Sequence, residues 1–228
     1  PISHTGVWNV IQALGEKLEN DERKLVETDK HKKIKGNKEA PVLFEEADGV
    51  WLNLQGKDRK QRKFPKAEMK AAIAYDGWVD KGSGRYSLDG KVVTAGFNKA
   101  ADFQRLREAM IASEYDLDEV QIRFLNGDGA PWIKKTRDRG TIFQLDPFHR
   151  NKSIRENISH KRAIRDVMEL LEKEQIEEMF EYLTVYKDSL TDDKEIEKAE
   201  NLIRYFSANK EGLLPYQKRG LEIPESPK

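Results

Sequence analysis

The feature that most limits how this chain can fold is a change in the period of its apolar residues near position 150. Up to that point they come in short strand-like runs. After it they recur every three or four residues. The runs are "VLFEEADGVWLNLQ" (42–55), "AEMKAAIAYDGWV" (67–79), "GKVVTAGF" (90–97), "VQIRFLNGDG" (120–129) and "GTIFQLD" (140–146). Between the third and fourth, residues 100–115 show helical spacing through Phe103, Leu106, Met110 and Ile111. Pro131 opens a short helix before the fifth strand. The order β-β-β-α-β-α-β predicts an α/β fold, a mixed sheet with helices on its faces.

The flanks differ. "ISHTGVWNVIQALGEKLEND" predicts a helix capped by Ser3 or Thr5, with Val7, Val10, Ile11, Leu14 and Leu18 on one face. A polar, basic linker follows it to Pro41. Past 150, "RAIRDVMELLEKEQIEEMFEYLTVY" and "KEIEKAENLIRYFSANKEGLL" predict charged amphipathic helices, and "GLEIPESPK" ends without a closing element. Three stretches result: 1–40, a helix and linker; 41–150, the α/β core; and 151–228, all helical.

Composition narrows the chemistry. The chain has no cysteine, which removes disulfides, thiolate zinc sites and cysteine nucleophiles. No run approaches a membrane span and no signal-peptide pattern opens the chain, so a soluble cytoplasmic protein is expected. The 41 basic and 41 acidic residues cancel, yet they segregate. Residues 57–70, "KDRKQRKFPKAEMK", hold seven basic and two acidic residues, whereas 166–200 hold thirteen acidic and four basic. A solvated loop and a solvated helix face account for this; so does a DNA-facing patch beside a non-binding region.

Two acids stand out. On alternation, Val42, Phe44, Glu46, Asp48, Val50 and Leu52 share a face, so carboxylates interrupt an apolar stripe. In 120–129, Val120, Ile122 and Phe124 share a face with Asn126 and Asp128. A charge on a core-facing stripe is costly unless paired, hydrogen-bonded or bound to metal. Were the two strands neighbours, Asp48 and Asp128 would converge as oxygen ligands for a divalent cation. Gly127-Asp128-Gly129 also reads as a turn, Asp48-Gly49 as a bulge facing water, and Asp146-Pro147 as N-cap and N1 of a helix.

"SHTGVWNVIQ", "EEADGVWLNLQGKDRK", "FLNGDGAPWIKK" and "QLDPFHRNKSIREN", in that order through the whole chain, closely resemble the ISLre-type insertion-sequence transposases of bacteria and, more distantly, the Mutator-like transposases. The resemblance implies a ribonuclease-H-like core whose Asp-Asp-Glu triad binds two Mg²⁺ or Mn²⁺ ions and cleaves and joins DNA at element ends. By motif match Asp48 and Asp128 are the first two acids and metal ligands. Asp146 and His149 match the signature that follows the second acid in transposases carrying a helical insertion. The helices after 150 would be that insertion, and the third acid is expected beyond residue 228, because nothing around Glu222 or Glu225 matches its context. The first helix would end a helix-turn-helix region that binds terminal repeats. Lys57, Arg59, Lys60, Arg62, Lys63, Lys134, Lys135, Arg137 and Arg139 would neutralise phosphates of double-stranded DNA, on which the protein would assemble as a homo-oligomer. A ribonuclease-H-like nuclease without strand transfer and a non-catalytic interaction module are the rival readings.

Overall fold

The computed structural model describes residues 3–27, 34–135 and 140–221. The protein is α/β. A five-stranded sheet has the order β5-β2-β1-β6-β7, formed by β1 (Val42–Asn53), β2 (Lys66–Tyr75), β5 (Val92–Gly96), β6 (Ile122–Gly127) and β7 (Thr141–Leu145). β2 and β5 are antiparallel, while β6 and β7 are parallel, so the sheet is mixed. The chain divides into two compact units that share β1: Pro1–Leu43 with Gly49–Gln121, and Phe44–Asp48 with Ile122–Ser226.

In the first unit, α1 (His4–Glu27) runs well into the stretch that reads as a linker. α3 (Ala100–Glu114) buries Phe103, Leu106 and Ile111, as its periodicity predicts. Ala40, Leu43, Ala74, Ile111 and Tyr115 form a core cluster. At its polar edge the Tyr115 hydroxyl donates to the Gly90 carbonyl at 2.7 Å, and Lys38 pairs with Asp76 at 2.9 Å. Burial, and then the Asp76 charge, push the Tyr115 phenol well above its ordinary pKa.

Two elements depart from the expected strand pattern. The run 67–79 is not one strand. β2 stops at Tyr75, and a separate hairpin follows, β3 (Gly77–Asp80) with β4 (Tyr86–Asp89). Its turn uses positive φ at Gly82, Ser83 and Gly84, which glycine adopts at little cost. The basic stretch 57–70 is not a single loop either. It contains α2 (Gly56–Gln61) and the start of β2, where Lys70 is buried and paired with Glu68 at 3.3 Å.

The second unit holds α4 (Pro131–Lys135), α5 (Pro147–Asn157), α6 (Lys161–Glu172), α7 (Ile176–Asp188) and α8 (Asp193–Ala208). Its core is continuous with the helices: Val167, Met179, Leu183, Ala199, Leu202 and Phe206 are all fully buried. Phe44, Phe124 and Tyr216 stack beside the strands. No described helix is long and apolar enough to cross a membrane.

Candidate functional site

Asp128 and Asp146 directly follow the ends of the parallel strands β6 and β7, while Asp48 lies within β1, the strand next to β6. Phe44 stacks on Phe124 at 5.7 Å, and a Cβ placed on Gly127 would lie 3.2 Å from the Ala47 carbonyl oxygen. The two contacts advance together along the chain, so β1 and β6 run the same way. Asp48 follows Ala47 and Asp128 follows Gly127, so each acid is the next residue after this close approach. On the other side, Gly127 pairs with Leu145, and the Asp146 N–H donates to the Gly127 carbonyl at 2.9 Å. That contact brings Asp146 to the Asp128 turn.

The buried-stripe argument for Asp48 does not survive. Glu46 and Asp48 are both exposed, as are Val50 and Leu52 beyond them. The carboxylate that β1 does bury is Glu45, on the opposite face, fully buried and held by Arg123 at 2.7 Å. Pairing is what offsets its desolvation. Asp48, on the other face, is exposed to solvent.

Asp128 sits in a turn, which was one of the two readings of Gly127-Asp128-Gly129. Its Oδ1 accepts from the Ala130 N–H at 2.8 Å, the local bond that orders such turns. Gly129 has φ +85°, and any side chain there would run into the amide of Asn209. From α8 the Tyr205 hydroxyl donates to the Asp128 main-chain carbonyl at 2.7 Å. The Asn209 amide donates to the Tyr205 carbonyl at 2.8 Å, and Lys134 donates to the Ala208 carbonyl. Burial raises the Tyr205 pKa, followed by the charges of Asp128 and Asp146, so this phenol stays a donor. Tyr205 and Asn209 carry no signal in the local sequence. They lie 77 and more residues from Asp128, and no local pattern links them to it.

Asp146 is the N-cap of α5, with Pro147 following it at the helix start. Its Oδ2 accepts from the His149 N–H at 3.1 Å and lies 2.7 Å from His149 Nδ1. An ionised carboxylate only accepts, so the ring proton of that contact is on Nδ1. The pair locks the strand-to-helix corner beside the Asp128 turn.

Of the basic residues, Lys57, Arg59, Lys60, Arg62 and Lys63 are exposed on and after α2 in the first unit. Lys134 is half-buried and occupied with Ala208. Lys135 ends α4, its side chain outside the described residues; Arg137, Arg139, Glu222 and Glu225 lie outside them altogether. Asp48 and Asp128 offer the hard oxygen donors that Mg²⁺ or Mn²⁺ prefers. Among the described residues no group of three or more His, Cys, Asp or Glu could hold a metal ion.

A sheet-based α/β protein with Asp128 and Asp146 just past the ends of two adjacent parallel strands is the class this geometry defines. The chain belongs to UPF0236, an uncharacterised protein family that matches residues 1–225. It is 27% identical over 202 residues to UPF0236 proteins of Caldanaerobacter subterraneus subsp. tengcongensis, covering 85% of this chain and 41% of the relative. A UPF0236 protein in the vanSb 3′ region of Streptococcus gallolyticus is 25% identical over 196 residues, covering 81% and 41%. The chain thus spans about two fifths of the length of these relatives. No solved structure matches it.

Proposed function

We propose that this chain is part of a DDE-type DNA transposase with a ribonuclease-H-like core, which cleaves DNA at element ends and transfers the strand. The observation that supports the reading is the close approach of Gly127 to Ala47 on neighbouring strands, each the residue before a candidate acid. The strand order supports it, since a first strand flanked by the second on one side and the fourth on the other is the arrangement of ribonuclease-H-like sheets. The relatives' names add support. One joins eleven loci of a single genome and another joins four, the multiplicity that a mobile element leaves behind.

In this reading Asp48 and Asp128 hold divalent ions, Mg²⁺ or Mn²⁺, with a third acid completing the set. Bound there, the ions would supply Lewis-acid activation of the attacking oxygen and stabilisation of the leaving one. The protein contributes placement. The Ala130 N–H bond and the Tyr205 contact fix the Asp128 turn, and the Asp146–His149 pair fixes the corner next to it. The cations of residues 57–63 neutralise phosphates of double-stranded DNA, so affinity falls with salt.

The test uses the full-length protein on DNA carrying the element's ends. Asp48→Asn and Asp128→Asn each reduce strand cleavage by about a thousandfold, the loss of several kcal/mol of metal-borne stabilisation. DNA binding is retained in both. Cleavage surviving either change would end the assignment, and cleavage without joining would replace it with a nuclease.

A further inference from the structure

The second unit carries a surface that its sequence motifs do not announce. α5 places Phe148, Lys152 and Arg155 at i, i+4 and i+7, one stripe of a helix. All three are exposed, Phe148 at 68%. The inner side of the same helix is anchored. Ile154 is fully buried, Ile158 closes the C-terminal end, and the Arg150 guanidinium donates to the Leu213 carbonyl at 3.2 Å. The stripe is therefore held facing outward.

Its position matters as much as its composition. Phe148 follows Asp146 by two residues, and the Asp146 N–H is bonded to Gly127, the residue before Asp128. The aromatic ring thus starts at the end of β7, the strand next to the one that Asp128 follows. It is also rigidly mounted: Pro147 and the Asp146 cap fix the first helical turn, and the His149 ring meets Phe148 edge-on at 5.3 Å. From Phe148 to Arg155 the helix rises about 10 Å. That distance covers about three nucleotide steps at 3.4 Å along one strand.

Charge distinguishes this face from the rest of the unit. Between residues 147 and 165 the exposed charged side chains are Lys152, Arg155, Lys161, Arg162 and Arg165, with Glu156 the one carboxylate. On α7 and α8 the exposed charges are mainly acidic, among them Glu177, Glu178, Glu181, Glu197 and Glu200. An exposed aromatic beside cations is the combination that stacks a base and holds its flanking phosphates. Val185, equally exposed at 69%, sits on the acidic α7 and has neither feature.

We infer that the Phe148–Lys152–Arg155 stripe of α5 binds an unpaired stretch of DNA next to the Asp128 turn, Phe148 stacking on a base and the two cations meeting its phosphates. The inference rests on the transposase reading only for its choice of nucleic acid, and its test needs no cleavage. Full-length protein in EDTA is titrated with two labelled DNAs, a forked duplex carrying 2-aminopurine in the unpaired arm and its fully paired counterpart. The wild type quenches the 2-aminopurine signal by stacking. Phe148→Ala weakens binding to the forked DNA by about 10-fold or more, abolishes the quench and leaves the paired duplex unaffected. Phe148→Trp restores both signals, and Val185→Ala changes neither. The Lys152→Ala/Arg155→Ala pair flattens the salt slope on forked DNA by about 1.4.

Unchanged affinity and quench in Phe148→Ala, or equal loss on both DNAs, would overturn the inference. The two proposals fail separately. Asp48→Asn that still cleaves removes the transposase site and leaves the stripe standing. Normal cleavage by the wild type, together with an inert Phe148→Ala, does the reverse.

Discussion

α1 and α8 look alike as sequence and behave differently as structure. Both are charged helices with apolar residues at three- and four-residue steps. In α8, Ala199, Leu202 and Phe206 are fully buried, and its last turn reaches the Asp128 loop through Tyr205, Ala208 and Asn209. In α1, Val7, Val10, Ile11, Leu14 and Leu18 are all between 46% and 65% exposed. Periodicity shows that a helix has an apolar face. It does not show whether anything covers that face. α8 is a buttress of a turn, whereas α1 displays its stripe to solvent in this chain.

The comparison breaks most visibly in unfolding experiments. Phe206→Ala should lower the unfolding free energy by about 3–5 kcal/mol, the cost of emptying a closed core site. Leu14→Ala should change it by less than about 0.5 kcal/mol, as at an exposed position. Urea titrations of the two variants check both values. Equal losses would mean that α1 is packed as tightly as α8.

A smaller effect sharpens the role given to Tyr205. Tyr205→Phe removes one hydrogen bond to the Asp128 carbonyl and should cost about 1 kcal/mol. The pH dependence has a definite sign. The Tyr205 pKa is raised in the fold, so the fold holds that proton more tightly than the unfolded chain does. Its contribution is complete below the ordinary phenol value of about 10 and is lost as pH rises through the higher folded value. Stability should therefore fall above pH 10 and fall less steeply in Tyr205→Phe. Tyr115 is raised too, and Tyr182 is pushed up to about 12, so some alkaline loss remains in the variant. A variant with the wild-type alkaline profile would deny Tyr205 its place against Asp128.

Much of the fold was legible because it is local. The five strands of the main sheet, with α3 and α4, follow from runs and spacing, and Asp146-Pro147 declares its cap. The β3–β4 hairpin was missed although "DKGSGRY" carries its turn residues, because the apolar run 67–79 hides the break at Asp76. The face of β1 was misjudged for a different reason. Both parities of 42–53 carry apolar residues and a carboxylate, and only Arg123 on β6 decides that Glu45 is the buried one. The buttress behind Asp128 is a long-range contact with α8 and leaves no trace in spacing.

The central claim is that Asp48 and Asp128 share a divalent ion, and a crystal of the protein soaked in Mn²⁺ tests it most directly. The account predicts an anomalous peak bound by both carboxylates, with the Asp128 turn held as described. Carboxylates turned apart and no peak between them would contradict it, leaving Asp128 a turn residue and Asp48 a solvent-facing strand position.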